Sequence, residues 1–222
     1  MDKKIILDLC GGTGSWSKPY TACGGGYIVY VITLPDYDLL ETEIKNGLLT
    51  FKGEKTLTIK AADVYGILAA PPCTEFSVLN CIDAPRERDE AEGMKLVNAC
   101  KKIIEKCAPK FWAMENPRGY LRKYLGKPKL TFQPWQYGDP WTKATDIWGD
   151  FEAPKPTYEK WEDAPKLPLY TRPGRGKPNF AFLHKSAWEK IPQLQYHKPQ
   201  TDAEFRAMTP PGFATAFCKA NK

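Results

Sequence analysis

The chain has 222 residues and a formal charge of +6, with 42% apolar and 26% charged residues. That length supplies one well-buried core, or one core with a small appendage. No run of about 18 apolar residues exists to span a membrane, and Met1 to Lys4 leads into a strand rather than a secretory signal. The seven cysteines (10, 23, 73, 81, 100, 107 and 218) are odd in number, show no CxxC spacing and are spread through apolar segments. That usage excludes a disulfide framework and predicts a reducing, intracellular setting for a soluble protein. His184 and His197 have no second ligand pair nearby and no His-x-Glu precedes a Pro-Cys-x-x-Cys, so no metal centre is predicted.

The elements follow in chain order. Residues 4–10 read as a hydrophobic strand, residues 11–15 as a glycine-rich turn, and residues 15–23 as a helix ended by Gly24-Gly25-Gly26; residues 27–33 are a β-branched strand. This is the opening β-α-β of a doubly wound sheet. Residues 48–51 and 56–59 flank Lys52-Gly53-Glu54 as a hairpin. Residues 64–70 are the next parallel strand, running into Pro71-Pro72-Cys73. Residues 86–107 carry Met94, Val97, Ile103 and Ile104 between charges, an amphipathic helix. A further buried strand at 111–114 ends at Glu115-Asn116-Pro117. From Lys127 onward proline and tryptophan are dense and periodicity is lost, until a short helix over 213–221. The predicted fold is α/β, a doubly wound and mostly parallel sheet with a small loop-rich C-terminal appendage. Its parts are a main unit over 1–150, a small region over 151–208, and a closing helix over 209–222.

Three motifs carry chemistry. The turn Gly11-Gly12-Thr13-Gly14-Ser15 after the first strand lets a ligand approach the backbone closely. Asp8 at the strand end, and Asp36 and Asp38 past the second strand, suit a ligand with hydroxyls or amines, although a turn role serves the latter two equally well. Cys73 stands in a stiff loop where a strand stops, the place where open α/β sheets keep their sites. Basic residues cluster at Arg118, Arg122, Lys123, Lys127 and Lys129, and again, among aromatics, at Arg172, Arg175, Lys177, Lys185, Lys190 and Lys198. Such interleaving suits phosphate contacts and base stacking, and equally a solvated basic face.

Taken together the motifs resemble those of the DNA cytosine-C5 methyltransferases. Asp8-Leu9-Cys10-Gly11-Gly12-Thr13-Gly14-Ser15 is similar to the family's DLFAGxGG cofactor motif, Pro71-Pro72-Cys73-Thr74-Glu75-Phe76-Ser77 to PPCQxFS, and Glu115-Asn116-Pro117 to the ENV motif in its ENP form. Residues 212–221 resemble the helix that closes these enzymes near the cofactor. Tyr137-Gly138-Asp139-Pro140 and Thr145-Asp146-Ile147-Trp148 resemble segments of short, phage-type members.

The resemblance implies the Rossmann-like S-adenosylmethionine-dependent methyltransferase fold and a methyl transfer to cytosine C5 in DNA. It makes Cys73 the nucleophile toward cytosine C6 and Glu115 the partner of cytosine N3. Lys143 stands where the family's QxRxR motif is expected, and no such motif is evident. The resemblance implies cofactor contacts from Asp8, Gly11, Gly12, Thr13, Gly14, Ser15, Asp36, Pro71 and Asn221, and DNA contacts from Arg118, Arg172 and Arg175. Cys10 replaces an aromatic that usually stacks on adenine, and Ser15 replaces a glycine. About 60 residues separate Trp148 from Thr209, which predicts a short recognition site. The chain is expected to act as a monomer, without a membrane, in the cytoplasm of a bacterial host. Two other readings stay open: pyrimidine C5 modification of RNA or with a modified one-carbon group, and a non-catalytic, cofactor-dependent DNA-binding module.

Overall fold

The computed structural model describes residues 4–22, 26–78, 87–191 and 200–222. Cys23, Gly24, Gly25, Cys81, Arg86, His197 and Lys198, named above, lie outside the described residues.

The opening unit is β1 (Lys4–Leu9), α1 (Lys18–Ala22) and β2 (Tyr27–Ile32). Then come β3 (Asp38–Lys45), β4 (Leu48–Lys52), β5 (Thr56–Lys60), β6 (Val64–Ala69), α2 (Glu90–Cys107), β7 (Phe111–Pro117), α3 (Arg122–Leu125), β8 (Leu130–Phe132), β9 (Thr145–Asp150), α4 (Asp202–Ala207) and α5 (Pro211–Ala220). The main sheet has the order β2-β1-β6-β7-β9-β8. Its first four strands are parallel, and β9 runs antiparallel to both β7 and β8. The predicted α/β sheet is present, with an antiparallel edge that the sequence reading did not include.

Four consecutive residues of β1 and of β6 are buried, as expected of strands covered on both faces. One face packs Leu7, Leu9, Ile67, Ala69 and Met114 against Val97, Cys100 and Ile103 of α2. The other packs Ile6, Leu68 and Ala113 against Trp16, Tyr20, Phe213 and Phe217. A third cluster, of Trp141, Leu169, Phe180, Leu183, Phe205 and Met208, gives the C-terminal region its own small core.

The elements depart from expectation in identifiable places. α1 begins at Lys18, after a succession of turns through residues 12–17. α2 begins at Glu90, because the Asp89 side chain accepts from Glu92 N at 2.9 Å and caps the helix there. The expected hairpin β4–β5 is present but belongs to a three-stranded antiparallel sheet, to which β3 adds through an Asn46-Gly47 turn with φ of +51° and +77°. Both residues sit in the left-handed region that a mirror-image hairpin turn requires.

α5 is fixed at both ends. The Asp139 carboxylate accepts from Gly212 N at 3.0 and 3.2 Å at its start, and burial pushes that carboxyl up to about 7. At its end the Asn221 side chain donates to the carbonyls of Glu152 (2.9 Å) and Phe217 (3.0 Å) and accepts from Glu152 N (2.8 Å). Among the described residues no helix is long and apolar enough to cross a membrane.

Candidate active site

The chain leaves β1 for β2 on one side and then returns to β6 on the other, so strand order reverses between β1 and β6. Ligands of doubly wound sheets bind in the crevice outside the carboxyl ends of the strands at that reversal. Leu9, Ala69 and Met114 are successive register partners at this edge. The glycine turn after β1, the Pro-Pro-Cys loop after β6 and Glu115 on β7 therefore come together, although they are far apart in sequence.

The Pro-Pro-Cys loop is held from two directions. The Cys73 carbonyl accepts from Phe76 N (3.0 Å) and Ser77 N (2.8 Å), which folds the loop back on itself. The loop then bonds to the segment after β7: Tyr120 N donates to the Phe76 carbonyl at 2.8 Å, and Ser77 bridges Gly119. A Cβ on Gly119 would lie 2.2 Å from that carbonyl oxygen, so only glycine fits. Asn116, fully buried, donates from Nδ2 to the Pro71 carbonyl at 3.0 Å. The residue after Glu115 thus fixes the loop that carries Cys73. This cross-link has no sequence signal besides the place of Asn116 beside Glu115.

Glu115 is nine-tenths buried and lies within β7 opposite Ile147 of β9. Burial pushes its carboxyl up, Lys143 pulls it down, and Asp146 adds an upward push. The Cys73 thiol is pushed up by burial, pulled down by Lys143 and pushed up by Glu115. Lys143 is therefore the cation that both groups feel. Its Nζ donates to the Arg206 carbonyl at 3.0 Å and lies 5.9 Å from the Phe180 ring, while its backbone N donates to Gln133 Oε1 at 3.0 Å. The charge that acts on Cys73 and Glu115 is held in place by the C-terminal region. Replacing Lys143 by methionine removes a downward pull on both pKa values, so less thiolate exists at a given pH. Iodoacetamide labelling of Cys73, followed by mass spectrometry across pH, should show its alkylation midpoint moved to higher pH. An unmoved midpoint would detach Lys143 from the site.

The glycine turn is built over a buried carboxylate. Asp8 is fully buried, accepts from Ser17 Oγ at 2.6 Å, and is pushed up to about 6 by desolvation. A Cβ on Gly11 would come within 2.5 Å of Asp8 Cγ. Asp8 therefore lies directly beneath the turn and shapes it, rather than projecting from it. Its Oδ1 has no partner among the described residues. A Cβ on Gly12, at φ +53°, would meet nothing within 4 Å. An open turn over an unpaired buried acceptor fits a ligand that carries donors, as an S-adenosylmethionine-like cofactor does. Cys10, at φ +56°, turns its thiol against Cys100 of α2.

Other predicted site residues are placed differently. The Ser15 hydroxyl accepts from Thr209 N at 2.7 Å, tying the turn to the segment before α5. Asp38 accepts from Leu40 N at 2.9 Å, and Asp36 ion-pairs with Lys55 at 2.6 Å, so both carboxylates are engaged locally. Asn221 is displaced from the site: β9 runs away from the catalytic edge, and Glu152 beyond it carries Asn221 to the opposite edge of the sheet. The cofactor contact expected of Asn221 does not stand, because its amide is consumed in holding α5. The basic cluster after Glu115 is partly engaged within the protein. Arg122 clamps the buried Asp146 through two bonds of 2.6 Å, Lys123 pairs with Glu90, and Lys129 donates to the Phe151 carbonyl. Arg118 is exposed. Arg172 and Arg175 form the expected exposed turn, with Arg175 N donating to the Arg172 carbonyl at 3.0 Å and Gly174 at φ +74°.

Residues 37–133 match the family model for C-5 cytosine-specific DNA methylases. Among solved structures the chain is similar to a candidate DNA modification methyltransferase encoded within a prophage of E. coli, at 16% identity and a TM-score of 0.43. The similarity covers 67% of this chain and 47% of that one, so the chain spans about half the length of this neighbour. No curated protein matches the chain. The matched span contains both the Pro-Pro-Cys loop and the Glu-Asn-Pro segment that Asn116 joins, so it is in these residues that the chain is similar to the C-5 cytosine-specific DNA methylases.

Proposed function

We propose that the chain transfers a methyl group from S-adenosylmethionine to C5 of cytosine in DNA, through a transient bond between Cys73 and cytosine C6. The observation that carries this reading is the coupling of Cys73 and Glu115 at the sheet's switch point, through the Asn116–Pro71 hydrogen bond, inside the family-matched span.

The chemistry follows from what each residue can do. Cytosine C5 is too weak a nucleophile to take a methyl group unaided. Addition of the Cys73 thiolate to C6 breaks the C5–C6 double bond, while a proton held by Glu115 is given to N3, and the ring becomes enamine-like at C5. Burial keeps the Glu115 carboxyl protonated at higher pH than an ordinary carboxyl. A protonated Glu115 also imposes no negative charge on the neighbouring thiolate. Lys143 supplies the opposite charge. When bound, S-adenosylmethionine supplies the electrophilic methyl group; the glycine turn over Asp8, with Pro71 and Thr13 beside it, would hold it. A base or water then takes the C5 proton, the C5–C6 double bond re-forms as the Cys73 thiolate leaves, and N3 returns its proton to Glu115, which restores both the ring and the acid. Because C5 and C6 are stacked inside a duplex, the base must leave the stack, at a cost of roughly a few kcal/mol.

DNA contacts are assigned to Arg118, Arg172 and Arg175, which are exposed basic side chains. Action as a monomer, in the cytoplasm of a bacterial host, extends this reading from sequence features alone. The test is to incubate the protein with methyl-labelled S-adenosylmethionine and, in parallel, duplex DNA or RNA, digest each to nucleosides and analyse them by mass spectrometry. Label in 5-methylcytosine is expected. Label only in N4-methylcytosine or N6-methyladenine would overturn the reading, and label in RNA but not DNA would move it to the RNA alternative.

A further inference from the structure

The C-terminal region has a cavity of its own, of about 120 Å³, between residues 168–170 and 183–190. Its floor is Leu169 and Leu183, both buried in the region's core. Its walls and rim carry Tyr170, His184, Ser186 and Lys190. Tyr170 is 60% exposed, unusual for so large a ring. His184 is set rather than free: Nδ1 lies 2.9 Å from Ser186 Oγ, and Nε2 lies 3.5 Å from Asp202. The exposed turn bearing Arg172 and Arg175 follows Tyr170 directly, with the Arg172 guanidinium 4.5 Å over the Phe182 ring.

The region also faces the reaction. Thr142 pairs with Asn179 through the backbone, and Lys143 reaches the Arg206 carbonyl. Both contacts lie just before β9, at the edge where Cys73 and Glu115 stand. A small cavity with an apolar floor, an exposed aromatic wall, a fixed imidazole and an ammonium rim is complementary to a flat heteroaromatic ring attached to phosphate. Sugar-phosphate with no ring would leave the apolar floor unfilled, and an apolar peptide would leave Lys190 and the arginines unmatched.

We propose that this cavity receives one nucleobase of the DNA near the target cytosine, stacked on Tyr170, with Lys190 and the Arg172–Arg175 turn on the adjoining phosphates. The inference rests on DNA being the substrate, and it assigns a second base-holding pocket besides the one at Cys73. It makes the cavity a determinant of which sequences are modified.

The experiment measures binding of a duplex containing one target cytosine, and of a set of duplexes each with an abasic site at one flanking position. Tyr170→Ala should weaken binding of the intact duplex roughly tenfold, the size of one base–aromatic stack, and Tyr170→Phe should not. At one flanking position the abasic duplex should bind the wild type as weakly as the intact duplex binds Tyr170→Ala, with no further loss when the two changes are combined. Equal binding by wild type and Tyr170→Ala, or additive losses at every position, would overturn the inference. If Tyr170→Ala lowers the Tm, Lys190→Gln takes its place: it should reduce the salt slope of binding by about one, and an unchanged slope overturns the proposal. The parent reading is checked separately with wild-type protein and 5-fluorocytosine DNA. Formation of that adduct with a silent cavity defeats only the present inference, whereas no adduct defeats the reading beneath it.

Discussion

Duplex DNA containing 5-fluorocytosine at the target position is expected to form a stable covalent adduct with the wild-type protein in the presence of S-adenosylmethionine, and none with Cys73→Ala. Fluorine cannot leave C5 as a proton does, so the last step of the cycle is blocked and the Cys73–C6 bond persists. The thiol is suited to attack only once it is ionised. Burial opposes ionisation and Lys143 favours it, so adduct formation should quicken with pH until Glu115 loses its proton. On ordinary DNA, Cys73→Ala should lower turnover on the order of 10⁶-fold, the scale seen when a covalent nucleophile is removed. Cys73 lies in a loop and not in any of the three apolar clusters, so the variant should keep its Tm. An adduct of equal yield with Cys73→Ala, measured on a denaturing gel, would place the nucleophile elsewhere.

Glu115→Gln should bind the same DNA with nearly unchanged affinity and transfer methyl groups about 10²- to 10⁴-fold more slowly, the range expected for loss of a general acid. Glutamine keeps the size and can still hydrogen-bond N3, but it has no proton to give. Single-turnover rates give the loss, and the pH profile separates a chemical role from a structural one. In the wild type the gain from thiol ionisation should level off as pH rises through the raised Glu115 pKa, because the proton donor is lost as fast as the thiolate grows; in Glu115→Gln the rate, though low, should go on rising with pH as the thiol ionises. A near-normal rate, or an unchanged pH profile, would remove Glu115 from proton transfer.

The parts of this site that the sequence announces are those whose chemistry is local. Glycines at a strand end and a cysteine behind two prolines lie in a turn and a loop as expected, because apolar runs and turn residues act over a few neighbours; the strand expected over 111–114 runs on through Glu115 to Pro117, where β9 pairs with it. The antiparallel pair β8–β9 was not legible. Residues 145–150 read Thr-Asp-Ile-Trp-Gly-Asp, where no alternation marks a strand, and Asp146 is buried only because Arg122 and Thr131 meet it from other elements. The same limit hid the engagement of Arg122, the linkage of Ser15 to Thr209 and the displacement of Asn221: each depends on a partner distant in the chain. β3 was legible and went unread, since the Asn46-Gly47 pair is a strong hairpin signal.

The clasp of Asn221 on Glu152, taken with that of Asp139 on Gly212, bears on how such a chain can be recombined. Both anchors of α5 lie outside the stretch from 153 to 208, so that stretch leaves the sheet after one anchor and re-enters before the other. Closing a loop between fixed ends costs little more as the loop lengthens, about 0.6 kcal/mol per doubling. A foreign segment spliced between those positions would therefore meet a helix that is already anchored. It would still have to bring what the native stretch gives the rest of the chain: an apolar cover for Trp141, a backbone partner for Thr142 and a carbonyl where Arg206 now offers one to Lys143, and a graft without the last would leave the thiol beside Glu115 without its counter-charge.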